Sequence, residues 1–473
     1  MKATLWFTVC NFLVKGISFI AVPIFTYIMS ADEYGLSALY MSYQEIVLIL
    51  ATWELYIGAY QRGLFKYQDG QDAFTLSTVL FINLITAACL IIFLAFSSSL
   101  TAFTKVPLGI WLIFFVYYLF FPAYNCWMVE KRKTYEYKPV VAATLLYSLI
   151  SAGSPIAALV FLEPTAPVKI AFTLLPAALF CFPFYVRCFR AARFSRLTLS
   201  EMKNQWLFLV RYQGPLVMHS LAYYVLNQSD ILMISYLIGD AETAYYSVAY
   251  SVAMAISLLQ NSVNLTLVPW RYEMLQKGMF ARIRSSTTSL LTIIGLVIVA
   301  FILVAPELIA LLFGSKYQLA IWCIPPIALS AYFIFLYSVF VNIETYYEAT
   351  KYVMYVSVFC ALLNIALNFV GIHYLGFVGC AFATLLSYIA FAVGHFFFAQ
   401  SVLLKKGIPI CDVVAIRPVT LLSVGFIASM LIALVVYPIP VIRYAVLTAL
   451  IVAAVLNRKR IQSVLSGLKD IRS

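Results

Sequence analysis

Lys15 interrupts a long apolar run, residues 4–29, and a charge in such a place invites a chemical question. At ~1.5 Å per residue its Cα lies more than ~10 Å along a helix from the start of the run. A cation at that depth could meet an anionic ligand or balance a carboxylate; the alternative is a structural ion pair with the next helix. Glu45 and Glu54 follow in the run 36–60. Nine residues of helix turn them to opposite faces, so they do not form one paired-carboxylate site. Glu45, nearer mid-membrane, is the candidate for a cavity group that binds a cation or proton, and Lys15 is closer in depth to Glu54. Asp230, with Asn227 and Gln228 one turn before it, sits deep in the run 213–238. It could hold a cation or hydroxyl-rich ligand, or be satisfied by a backbone or Tyr partner. His219, shallower in that run, is a polar group or a proton relay. Glu307 and Glu344 fall at span ends and read as interfacial. Arg62, Arg211 and Arg271 stand at the mouths of runs. Their guanidinium forks suit bidentate contact with phosphate, although each alone is also what ordinary membrane topology supplies.

The elements that must carry these groups follow from composition. Of 473 residues 64% are hydrophobic and 11% charged, with mean hydropathy +0.96. A soluble domain is nearer half apolar and a quarter charged, so a water-soluble enzyme, a disordered chain and a disulfide scaffold are excluded. About 14 transmembrane helices of about 21 residues take up most of the chain, which makes it an all-α polytopic membrane protein. The first run is too long for a signal-peptide core and lacks a small-residue cleavage site, so it reads as an uncleaved helix. The net charge of +12 has a topological explanation. Of the 31 Lys and Arg, all but Lys15, Lys105, Lys169, Lys316 and Arg443 fall on one side of this span pattern. A missed span would scramble that asymmetry, so both termini are expected in the cytoplasm. No nucleic-acid module is indicated. The nine cysteines read as small packing residues, and nothing calls for a metal or cofactor. The longest loop on the other side, around Ser98–Pro107, leaves little room for an active site.

The chain divides into a six-helix bundle over 1–187, a basic amphipathic linker over 188–212, a second six-helix bundle over 213–401, two further helices over 402–457 and a basic amphipathic tail over 458–473. The linker carries Thr198-Leu199-Ser200-Glu201, a capping box. Across it lies a weak repeat: Tyr27, Glu33 and Ser42 recur as Tyr236, Glu242 and Ser251 at a constant offset. Six spans per copy give both copies the same orientation, and parallel repeats imply a central cavity between bundles.

Three stretches carry a family resemblance. Arg211-Tyr212-Gln213-Gly214-Pro215-Leu216, then Asp230 and Ala244-Tyr245-Tyr246-Ser247-Val248-Ala249-Tyr250, form the first. Leu311-Leu312-Phe313-Gly314-Ser315-Lys316-Tyr317 with Ala320 and Pro325-Pro326 form the second. Asn364-Ile365-Ala366-Leu367-Asn368 with Gly376-Phe377-Val378-Gly379-Cys380-Ala381-Phe382-Ala383-Thr384 form the third. Together they resemble the Wzx-type oligosaccharide-lipid flippases of the MOP superfamily, with departures at Ala244, His373 and Cys380. The resemblance implies a MATE-like fold and a bacterial inner-membrane transporter that turns a polyprenyl-pyrophosphate-linked glycan (an O-antigen, capsule or exopolysaccharide unit) from the inner to the outer leaflet. Membrane lipids and the polymerase and chain-length proteins of a polysaccharide assembly system are the implied partners. On that reading Lys15, Arg62, Arg211 and Arg271 line a cationic path, and Glu45, Glu54, Asp230 and His219 are coupling or polar groups. The alternatives are a cation-coupled multidrug exporter of the same superfamily and, further off, a membrane glycan polymerase or ligase.

Overall fold

The computed structural model describes residues 2–134, 136–192 and 197–456, and every regular element among them is helical. Among the described residues, eleven helices are long and apolar enough to cross a membrane. The 39-residue Leu199–Leu237, the 37-residue Asp240–Gln276 and the 17-residue Pro440–Leu456 stand where spans seven, eight and fourteen are expected. The tail 458–473 lies outside the described residues.

Met1–Ala244 form one compact unit. Its helices are α1 (Lys2–Ile28), α2 (Ala31–Thr52), α3 (Gly58–Lys66), α4 (Gln71–Ala95), α5 (Ser97–Thr104), α6 (Leu108–Lys133), α7 (Tyr137–Phe161), α8 (Ala166–Ala191) and α9 (Leu199–Leu237). Trp111, Phe114, Phe115 and Tyr118 repeat at helical spacing on α6 and pack against Ile170, Leu174, Ala177 and Ala178 of α8. In lipid such contacts are favoured by close packing more than by escape from water, and apolar side chains also cover the outside: Phe161 is 84% exposed.

Two features depart from the expected spans. Span two is not one helix. It breaks after Thr52, where Trp53 and Glu54 both take left-handed backbone angles, φ 50° and 47°, a strain of about 1–3 kcal/mol each for residues with a Cβ. The opposite-face argument for Glu45 and Glu54 therefore fails, because it assumed an unbroken 100° per residue. The donors freed by the break find partners: Glu54 N–H donates to Thr52 Oγ1 (3.2 Å) and Ala59 N–H to Gln213 Oε1 of α9 (3.1 Å). Secondly, the linker is not a separate helix. The Thr198–Glu201 capping box is present, and it opens a helix that continues unbroken through span seven to Leu237. At ~1.5 Å per residue α9 far exceeds an apolar slab ~30 Å thick, so its first turns stand outside it. The compact division falls after Ala244 rather than within 188–212, since α9 packs along α2, α3 and α4.

Tyr245–Ser473 form the second unit. It takes most of α10 (Asp240–Gln276), with α11 (Phe280–Phe313), α12 (Ile324–Tyr346), α13 (Thr350–Leu375), α14 (Phe377–Leu404), the short α15 (Ile410–Val413), α16 (Ile416–Val436) and α17 (Pro440–Leu456). α14 packs on both α12 and α13. Gly314 (φ +68°) ends α11 and Gly376 (φ +60°) separates α13 from α14. Each is a glycine of the recognised motifs, in a backbone region that side chains avoid. Gly371 and Gly379 let α13 and α14 touch backbone to backbone. α16 packs on α11, where Gly295 makes room for the ring of Phe426.

Candidate functional site

In the first unit the polar groups gather on one face of α9. Gln213, Ser220 and Gln228 are spaced seven and eight apart, about two turns each, and so look the same way. Opposite them stand Ala59 at the start of α3, Glu54 at the break and Glu45 on α2. Gln228 Nε2 donates to Glu45 Oε2 (2.6 Å), and Ser42 donates to Gln228 Oε1 (2.9 Å). Glu54 is buried, 8% exposed, with Ser220 beside it. Lys15 is exposed on α1, and the carboxylate whose field it shares is Glu45, not Glu54 as depth alone suggested; the break moves Glu54 off the line that the depth estimate assumed. Asp230 is fully buried on α9. The side chain of His219 lies outside the described residues.

The arginines separate into two kinds. Arg62 on α3 and Arg211 on α9 are exposed. A concavity of about 450 Å³ lies between these helices, lined by Lys66, Tyr67, Asn204, Phe208, Arg211 and Tyr212 among others. Lys66 Nζ sits 4.4 Å from the Phe208 ring centroid. At the head of α9 the Glu201 carboxylate accepts from the Thr198 backbone N–H (2.9 Å) and hydroxyl (2.8 Å), and these bonds hold its pKa below the usual carboxylate range.

Arg271, in the second unit, is 2% exposed. Its guanidinium lies over the Phe335 ring at 5.5 Å, and neither Nη1 nor Nη2 has a hydrogen-bond acceptor among the described residues. A buried guanidinium in that state has the hydrogen-bonding capacity to receive an anion. By contrast, basic residues assigned to the other membrane side are already engaged. Lys105 pairs with Asp240 (3.3 Å) and Arg443 with Glu307 (2.7 Å). Lys169 donates to Ser37 Oγ (2.7 Å) above the Tyr34 ring.

Residues 1–275, more than half of the chain, match the sequence model of the polysaccharide biosynthesis protein family. The chain belongs to that family. Residues 215–370 also match the MatE family. Among solved structures it is similar to the lipid II flippase MurJ in an inward closed conformation, with TM-score 0.66 and 14% identity over 97% of this chain and 100% of that one. It is also similar to an inward-facing multidrug resistance MATE family transporter of the MOP superfamily, with TM-score 0.61 and 12% identity over 83% and 96%. A third likeness is a MOP superfamily transporter from Pyrococcus furiosus, with TM-score 0.52 and 13% identity over 85% and 95%. At these identities the likeness establishes the fold. No curated protein matches the sequence. This polysaccharide biosynthesis protein is thus a multi-pass membrane protein with the fold of MOP-superfamily transporters.

Two polar clusters of this polysaccharide biosynthesis protein escaped the sequence reading. In the first unit Glu130 accepts from Tyr60 (2.6 Å) and Thr75 (2.8 Å). In the second, Glu344 was placed at an interface by its position at a span end, yet it is fully buried against His395, with Nδ1 3.0 Å from both carboxylate oxygens. The available signal was the presence of two ionisable residues in apolar runs; their partnership required knowing that α12 packs on α14.

Proposed function

We propose that this protein is a flippase for a polyprenyl-pyrophosphate-linked oligosaccharide, carrying the head group from the cytoplasmic to the outer leaflet of a bacterial inner membrane. The lipid tail can stay in the bilayer, while the diphosphate and sugars must cross a slab ~30 Å thick, where an unpaired charge is very costly. The observation that carries the reading is Arg271, a buried cation whose Nη donors have no acceptor among the described residues. Lys15, Arg62 and Arg211 supply exposed cations, and the lipid II flippase fold fits the task. Glu45, Glu54, Asp230 and His219 are assigned as cavity or coupling groups, with Glu45 tied to Gln228. The two sequence repeats, 1–187 and 213–401, alternate access with both termini cytoplasmic, and the polymerase of a polysaccharide assembly system receives the product.

The test is reconstitution. Vesicles containing the protein and a fluorescent polyprenyl-pyrophosphate oligosaccharide should show protein-dependent movement of the head group between leaflets. Failure with every glycan made by the host's own polysaccharide cluster overturns the proposal. The exporter reading predicts instead that organic cations are expelled, and a buried open guanidinium is a poor neighbour for such cargo.

A further inference from the structure

Glu344 and His395 stand apart from the proposed head-group path in what they can bind. Both side chains are 0% exposed. They join α12 to α14, and the His395 ring packs beside Tyr337 (5.8 Å) and Phe391 (5.1 Å). Nδ1 is committed to the carboxylate, whereas Nε2 is buried with no hydrogen-bond partner among the described residues. Other titratable or charged groups from nearby elements do not satisfy it. Tyr388 stacks on Tyr337, Cys360 of α13 is buried, Arg271 of α10 lies over Phe335, and Glu307 of α11 is taken by Arg443.

Proton counting gives this arrangement a meaning. With a proton on Nδ1 alone, the histidine is neutral, the carboxylate is charged and the pair carries one net negative charge in an apolar interior. A second proton, on Nε2 or on the carboxylate, leaves the pair with no net charge. Burial strongly favours the neutral pair over the charged one. The geometry points to Glu344–His395 as a proton-binding site: the pair exchanges one proton with water when α12 and α14 separate, and the packed state of the two helices retains it. Proton uptake and the closeness of α12 to α14 are then linked equilibria, so releasing the proton and parting the helices favour each other. No cargo enters this argument, and the test below reads the site whether or not the flippase proposal stands.

The chain has three histidines, so imidazole NMR of the purified protein in nanodiscs is tractable, and H395Q assigns its own signal by deletion. The expected result is a His395 signal whose response to pH in the wild type differs from its response in E344Q. A His395 signal that titrates in neither protein, or identically in both, overturns the site. Should E344Q or H395Q fail to fold, the double variant E344M/H395L removes both charges without stranding either one, a replacement buried pairs commonly tolerate. Its melting temperature is expected to lose a pH dependence that the wild type shows across the His395 titration; an unchanged dependence overturns the proposal.

Discussion

At the scale of single residues, Arg271 separates stability from function. Its Nη atoms bond to nothing among the described residues, so removing the charge strands no partner. Met in its place is expected to leave folding intact or raise stability by about 1–3 kcal/mol while slowing head-group transfer at least ~10-fold, equivalent to about 1.4 kcal/mol. Thermal melts beside the vesicle assay decide it, and a variant that is destabilised yet fully active removes Arg271 from the path. Lys15→Ala, at an exposed position, should likewise fold normally and transport poorly; an unchanged rate takes Lys15 out of the site. Glu201 offers a pH test. Its bonds to Thr198 lower its pKa in the folded state, so they stabilise the first turn of α9 above the ordinary carboxylate value of ~4.3. That stabilisation is lost as pH falls through the lower, folded value. Amide exchange over the start of α9, corrected for intrinsic rate, should show fraying in acid that E201Q displays at neutral pH.

At the scale of elements, glycines mark where helices meet. A Cβ on Gly35 would stand 1.7 Å from the Asp240 carbonyl oxygen, a backbone atom that no rotamer change can move. Gly35→Ala should therefore cost more than about 2 kcal/mol. Gly153→Ala, on α7 with open space around it, should instead stabilise by up to ~1 kcal/mol. Comparison of the two melting temperatures checks the packing of the α2 start, and equal shifts would contradict it. The capping box at Thr198 was readable because it is local, a hydroxyl and a carboxylate three residues apart. The break at Trp53 was not. Neither Trp53 nor Glu54 is a proline or glycine, Gly58 comes only where α3 begins, and the break is held by Gln213 from a helix far along the chain.

At the scale of the whole molecule, the proposed cargo makes transport electrogenic. An inside-negative potential favours outward movement of an anionic head group by about 2.3 kcal/mol per charge per 100 mV. Imposing a potassium diffusion potential on the vesicles should thus shift the leaflet distribution outward, and reversing its sign should shift it back. A distribution indifferent to the potential would mean that the diphosphate crosses with its charge fully compensated, or that the cargo is neutral.

The sequence by itself determined the solvent in which this chain folds, the helical class, the approximate places of its helices and the family to which it belongs. Those properties follow from composition, apolar run length and short motifs, which need no knowledge of neighbours. The tertiary structure alone decided which charges are spoken for. Glu45 meets Gln228 and Glu344 meets His395 across long stretches of sequence, while the buried Arg271 Nη atoms meet no acceptor among the described residues. In an apolar medium an ionisable group's role depends on the partner it finds, and partners are set by how helices pack rather than by what lies beside them in the chain.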